Sequence, residues 1–155
     1  MWMWEFFCSL NFINMNTTNN IETEFNDALS RYESGEEITT IINDFKKIIN
    51  QIPNHFAAWT CISWLYLLIK NNNEALFAAK QAVKLNGQDV QARMNLSLAL
   101  LATNTKGVRE NIDLIKRIMM MAPDLEKDLK LSIEDGFQRY PEWKELKKIK
   151  AWLDF

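Results

Sequence analysis

Apolar residues along this chain recur at helical spacing, in blocks separated by short polar breaks. Phe25, Ala28, Leu29 and Tyr32 fall on one face of a first helix. Asn20 is placed to cap it, and Glu22 and Glu24 sit where a helix N-terminus favours negative charge. The break Glu33-Ser34-Gly35-Glu36-Glu37 offers Gly35 for a left-handed helix end. A second helix carries Ile38, Ile41, Ile42, Phe45, Ile48 and Ile49 and stops at Pro53. The next pair is read from Trp59, Ile62, Ser63 and Tyr66, then Ala75, Ala79, Ala82, Val83 and Leu85. Its turn spans Lys70 to Asn73, where asparagine tolerates the left-handed conformation. A third pair follows, with Leu96, Ser97 and Leu100, then Asn111, Ile115 and Ile118, ending at Pro123. Beyond it, Leu129, Ile133 and Phe137 predict a further helix that Tyr140-Pro141 breaks. Pro141 suits the first turn of a last helix with Trp143, Leu146, Ile149 and Trp152 inward and Lys144, Lys147, Lys148 and Lys150 outward.

These pairs are in register with one another. Phe25, Trp59 and Arg93 are spaced by 34 residues, as are Tyr32, Tyr66 and Leu100, Ile41 and Ala75, and Pro53 and Gly87. Only the third pair is longer, by a loop-like stretch Thr103 to Gly107 where insertion is tolerated. A period of this length means helix pairs that cannot bury their apolar faces alone and must stack. The residues resemble the tetratricopeptide-repeat (TPR) family. Its pattern of Trp, Leu-Gly, Tyr, Ala, aromatic, Ala and Pro is matched by Trp59, Ile62-Ser63, Tyr66, Ala75, Ala79, Ala82 and Gly87. It is matched again by Phe25, Ala28-Leu29, Tyr32, Ile41, Phe45, Ile48 and Pro53, and by Arg93, Leu96-Ser97, Leu100, Asn111, Ile115, Ile118 and Pro123. The short array with its Pro-Glu-Trp-Lys tail also resembles small stand-alone TPR proteins of photosynthetic bacteria.

The resemblance implies an all-α, right-handed superhelix of three helix pairs plus C-terminal capping helices. Residues 1–20 would be a flexible N-terminal extension and 21–155 the TPR domain, with repeats about 22–55, 56–89 and 90–125 and caps about 126–155. It also implies an inner groove, lined by the first helix of each pair, that holds a peptide or an amphipathic helix. Carried onto this chain, the groove phases are Asn26, Ser30 and Glu33, then Thr60, Trp64 and Leu67, then Met94, Leu98 and Leu101. The lining is polar at one end and apolar at the other. Trp64, Leu67, Met94 and Leu98 have two readings: an open apolar groove anchored by Trp64, or a groove filled by the N-terminal segment or another helix. Relatives that grip a C-terminal carboxylate use lysine, arginine and asparagine at phases held here by Asn26, Ser30, Cys61, Gln91 and Asn95. Without a cation there, a buried carboxylate would be uncompensated, so no such ligand is expected.

Composition narrows the function classes. The 155 residues carry a formal charge of -2, which steers neither nucleic acid nor an anionic membrane to the chain. RNA-reading helical repeats need a basic groove, and this one has neither lysine nor arginine. Cys8 and Cys61 form no spaced pair, so free thiols and a cytoplasmic, reducing setting are expected, with a position beside a membrane complex as the variant. The apolar stretch Met1 to Leu10 is too short to span a bilayer and lacks a signal peptide's basic start and cleavage site. It reads as an extension ahead of a start at Met15, or as a sticky tail. The lone His55 has no adjacent nucleophile, and no phosphate loop or metal-ligand cluster appears, so no enzyme, cofactor or metal is expected. The expected function is a protein-interaction adaptor. The alternative is an assembly or chaperone-like factor for a photosynthetic membrane complex.

Overall fold

A computed structural model of the chain describes residues 17–155, so the expectations for residues before Thr17 lie outside the described residues. Those described form eight α-helices and no strand. They are α1 (Thr17–Glu33), α2 (Ile38–Gln51), α3 (Phe56–Leu68), α4 (Asn72–Leu85), α5 (Val90–Ala102), α6 (Val108–Met121), α7 (Asp124–Arg139) and α8 (Lys144–Trp152). Each of α1 to α6 packs against its neighbour in sequence, and α3 also touches α5 directly. The result is an inner layer of first helices backed by an outer layer of second helices, the two-layer arrangement of a TPR-type superhelix.

The repeat is visible in hydrogen bonds as well as in packing. His55 Nδ1 accepts from the backbone N–H of Ala58 at 3.1 Å, capping α3, and Asp89 Oδ1 accepts from Ala92 at 2.7 Å, capping α5. One helical turn further, Trp59 Nε1 donates to the Pro53 carbonyl at 2.8 Å, and Arg93 Nε donates to the Gly87 carbonyl at 2.8 Å. Arginine therefore reproduces the tie that the tryptophan indole makes to the preceding turn. Its other arm, Nη1, donates to Asn111 Oδ1 at 2.8 Å, which satisfies the asparagine standing at a buried small-residue phase of α6. The two departures of the third unit from the repeat pattern thus answer each other.

Alanine does the close packing. Ala75, Ala78, Ala79 and Ala82 of α4 are all buried, letting α4 lie tightly between α3 and α5. Elsewhere the local expectations need correction. α1 already runs at Thr17, so Asn20 is inside the helix, donating to Glu24 at 3.0 Å, and does not cap it. In the α3–α4 turn it is Lys70 (φ 58°), not an asparagine, that turns left-handed, whereas Gly35 (φ 81°) ends α1 as expected. α8 starts at Lys144, not Pro141, because Trp143 is buried against the Trp64 and Tyr140 rings and holds an extended backbone as the N-cap. Leu85 and Trp152, expected inward, are 38% and 44% exposed.

The last two helices cap the array, as expected, and they do so on its inner face: α7 and α8 pack mainly on α5 and fold back over the inner layer. Leu129, Ile133, Trp143, Leu146, Ile149 and Leu153 are buried in the same core as the inner helices.

Candidate partner-binding face

The concave face begins with what α1, α3 and α5 present inward. Helical spacing puts Thr60, Trp64 and Leu67 in line on α3, and Met94, Leu98 and Leu101 in line on α5. Among the described residues, Thr60, Trp64, Leu67, Met94 and Leu98 are at most 4% exposed. The middle of the groove is therefore filled, and α7 and α8 fill it. Ser30 and Glu33 are exposed, while Asn26 and Leu101 are half-buried.

Trp64 sits at the centre of the seal. Its indole meets the Trp143 ring at 5.5 Å between centroids, and its Nε1 donates to the Tyr32 hydroxyl at 2.9 Å. Tyr32 in turn donates to the Asp135 carboxylate on α7. Arg139, one turn on, donates through Nε to Asp135 at 3.1 Å and stacks on the Tyr32 ring at 3.8 Å. Burial, and then the Asp135 charge, push the Tyr32 phenol well above its ordinary range, so it stays a donor. Gly136 marks the closest approach: a Cβ there would meet Leu146 Cδ2 at 2.6 Å and Trp64 Cη2 at 3.0 Å.

A second polar seam runs from α7 through α5 to α3. Ser132 donates to Gln91 Oε1 at 2.5 Å, Gln91 Nε2 donates to Asn95 Oδ1 at 2.8 Å, and Asn95 Nδ2 donates to Ser63 Oγ at 2.8 Å and to the Thr60 carbonyl at 3.1 Å. Gln91 and Asn95, which stand at carboxylate-gripping phases, are thus engaged within the chain. Among the described residues no buried side-chain nitrogen or oxygen lacks a partner. A polar network satisfied in this way specifies one docking of α7.

The chemistry-bearing side chains serve structure. His55 caps α3, stacks on Phe25 at 5.3 Å, and is held below its ordinary pKa by burial. Cys61 is fully enclosed, and burial drives its thiol upward, away from reactivity. Among the described residues no group of three His, Cys, Asp or Glu could hold a metal, and no helix is long and apolar enough to cross a membrane.

What remains accessible lies at the margins. Where α5, α6 and α8 meet, Leu101, Val108 and Ile112 floor a pocket of about 520 Å³, with Trp152 on one side and Arg109, Asp113 and Lys116 around it. Leu101 was legible as a groove residue. Val108, Ile112 and Trp152 were not, because only the fold-back of α8 brings them together. A polar cleft of about 590 Å³ lies between α1 and α2, with Asp27, Arg31 and Asp44 among its walls.

No protein-family model matches this chain, and no curated protein matches it in sequence. Solved structures do match in shape. The Yersinia enterocolitica type III secretion translocator chaperone SycD, in an alternative dimer, superposes with a TM-score of 0.66 over 94% of this chain and 100% of its own, at 12% identity. MamA RS-1, as the ArsTM double mutant, gives 0.56 over 88% of this chain and 74% of its own, at 20% identity. MamA MSR-1 C2 gives 0.52 over 84% and 77%, at 15% identity. At such identities the likeness concerns the fold, and the fold is that of a TPR-like helical-repeat protein.

Proposed function

We propose that this protein is a protein-interaction module of adaptor or chaperone-like kind, binding a peptide or an amphipathic helix of a partner along its concave face. The observation that carries this reading is the groove's present occupant. The inner layer holds α7 by an apolar stripe, Leu129 and Ile133, framed by hydrogen bonds from Ser132 and to Asp135. A surface built to accept an amphipathic helix from its own chain has the shape and chemistry to accept another's. Contact with the partner falls to the phases that α7 and α8 leave accessible, Asn26, Ser30 and Glu33 at one end and Leu101 at the other. Thr60, Trp64, Leu67, Met94 and Leu98 form the floor under the covering helices.

Partner capture from cell extract by wild type, Ser30→Arg and Leu101→Glu tests this reading. One or both substitutions should abolish capture of specific proteins while leaving the melting temperature within a few degrees; undiminished capture by both would overturn it. The chaperone-like variant is favoured by the match to the translocator chaperone SycD over the whole of that chain. A client carrying membrane-destined segments, for a photosynthetic complex or another, would make the protein co-sediment with membranes only while the client is present. An adaptor between soluble partners would stay in the supernatant.

A further inference from the structure

We propose that the recess between α5, α6 and α8 receives a large apolar side chain presented by an acidic amphipathic segment of another protein. This rests on the interaction-module reading and adds the partner's chemistry. The volume, about 520 Å³, falls within the range of ligand-holding clefts and is ample for an aromatic or leucine side chain with its flanking backbone. Its floor is apolar and formed by two adjacent helices, with Ile112 buried and Leu101 and Val108 half-buried.

Trp152 supplies the anchor. Ile149 and Leu153 take the inward positions of the α8 end, leaving the indole 44% exposed beside the recess. The end of the chain is pinned by the Lys116 Nζ to Asp154 Oδ2 bridge at 2.6 Å, which spans from α6 to the residue after Leu153. An aromatic ring on such a tethered turn presents contact area at little conformational cost.

Charge sets the partner's sign. Arg109 on the rim, Lys106 and Arg117 on the flanks of α6, and Lys148 one turn before Trp152 are exposed and have no ion pair among the described residues. The acids nearby are Glu110, Asp113 and Asp154, and the last is taken by Lys116. Residues 90–123 carry Arg93, Lys106, Arg109, Lys116 and Arg117 against Glu110 and Asp113 only. Residues 17–55 are the reverse, with Arg31, Lys46 and Lys47 against Glu22, Glu24, Asp27, Glu33, Glu36, Glu37 and Asp44. An acidic segment is drawn to the third pair and repelled from the first, which fixes both site and direction of approach. A concave recess with Asp113 in its wall suits a protruding side chain better than a flat anionic lipid surface.

The test is a titration of the full-length protein, followed by the Trp indole and Leu, Val and Ile methyl resonances. The probes are a soluble helical peptide of leucine, alanine and glutamate and its counterpart with lysine for glutamate. The glutamate peptide should saturably shift Trp152, Leu101, Val108 and Ile112 and leave the enclosed Trp64 unmoved, binding roughly tenfold tighter than the lysine peptide at low salt. Arg109→Glu should narrow or invert that preference, and Trp152→Ala should weaken both, with Trp64 reporting an intact fold in each. Equal binding of the two peptides would overturn the proposal. So would shifts confined to other residues, shifts produced by anionic vesicles instead of peptide, or the same shifts on raising protein concentration alone, which would mark a second copy. If cellular partners are still captured by Trp152→Ala and Arg109→Glu yet lost by Ser30→Arg, the interaction-module reading stands and this site falls.

Discussion

Single side chains in this protein act mainly through the groups they leave satisfied. Arg93 stands where the repeat pattern asks for tryptophan, and Asn111 where it asks for alanine; each alone would be a defect in a packed layer. Together they share a hydrogen bond while Arg93 keeps the tie to the Gly87 carbonyl. Arg93→Ala should cost about 1–3 kcal/mol, because Asn111 is then buried with an unmet acceptor. A double-mutant cycle with Asn111→Ala should show a coupling of about 0.5–3 kcal/mol by chemical denaturation. Asp89 makes a prediction in pH. Burial lifts its carboxyl from the ordinary 3.8 to about 6, against the opposing hydrogen bonds from Ala92 and Gln91. A carboxyl raised in the folded state binds its proton more tightly there than in the unfolded chain. Its contribution is therefore most favourable at low pH, declines as pH rises from about 4 to about 6, and is flat above. Asp89→Asn keeps the cap without the titration, so the stability difference, wild type minus variant, should fall by about 2–3 kcal/mol across that window. A difference that does not change with pH would refute the assignment.

Helices were the legible level of this molecule. Periodicity located α1, α2, α4 and α6 because each buries one stripe against a sequence neighbour, which is local information, whereas α3 and α5 are buried nearly all round and follow from the 34-residue spacing. The ends were less legible. Lys70 turns left-handed in place of an asparagine because the helix before it closes on Leu67, and propensity gives way to where packing ends the helix. The groove residues were identified by phase, but their exposure was not, since it depends on where α7 lands. A sequence spells the apolar stripe of Leu129 and Ile133 without stating which surface receives it. One residue did carry that information. Gly136 sits in the last turn of α7, where an added Cβ would fall 2.6 Å from Leu146 Cδ2 and 3.0 Å from Trp64 Cη2, so these buried side chains would have to shift to admit it. Gly136→Ala should overpack this contact by about 1–3 kcal/mol in thermal or chemical unfolding, the opposite of the gain expected for alanine in an exposed helix. Tyr32→Phe should cost a similar amount, about 1–3 kcal/mol, by leaving the buried Asp135 and the Trp64 indole each short of a partner.

At the scale of the whole molecule, repeats and C-terminal helices form one core, so they should unfold together. A chain ended after Pro123 would bare Trp64, Met94, Leu98 and Ile133's former neighbours. It should bind apolar dyes and self-associate in sedimentation; a stable, monomeric truncation would mean that the covering helices are an accessory. There is a further consequence of the bond between Tyr32 and Asp135. It joins the first helix pair to a helix that follows the third, across everything between them. Open-ended solenoids grow or shrink by duplicating a module, since each module meets only its neighbours. Here an inserted copy of 56–89 would move the two partners apart by about the 8–10 Å of a helix spacing or more, beyond any hydrogen bond. The strap works as a ruler for the stretch it spans: no further helix pair can be inserted between α1 and α7 without breaking it.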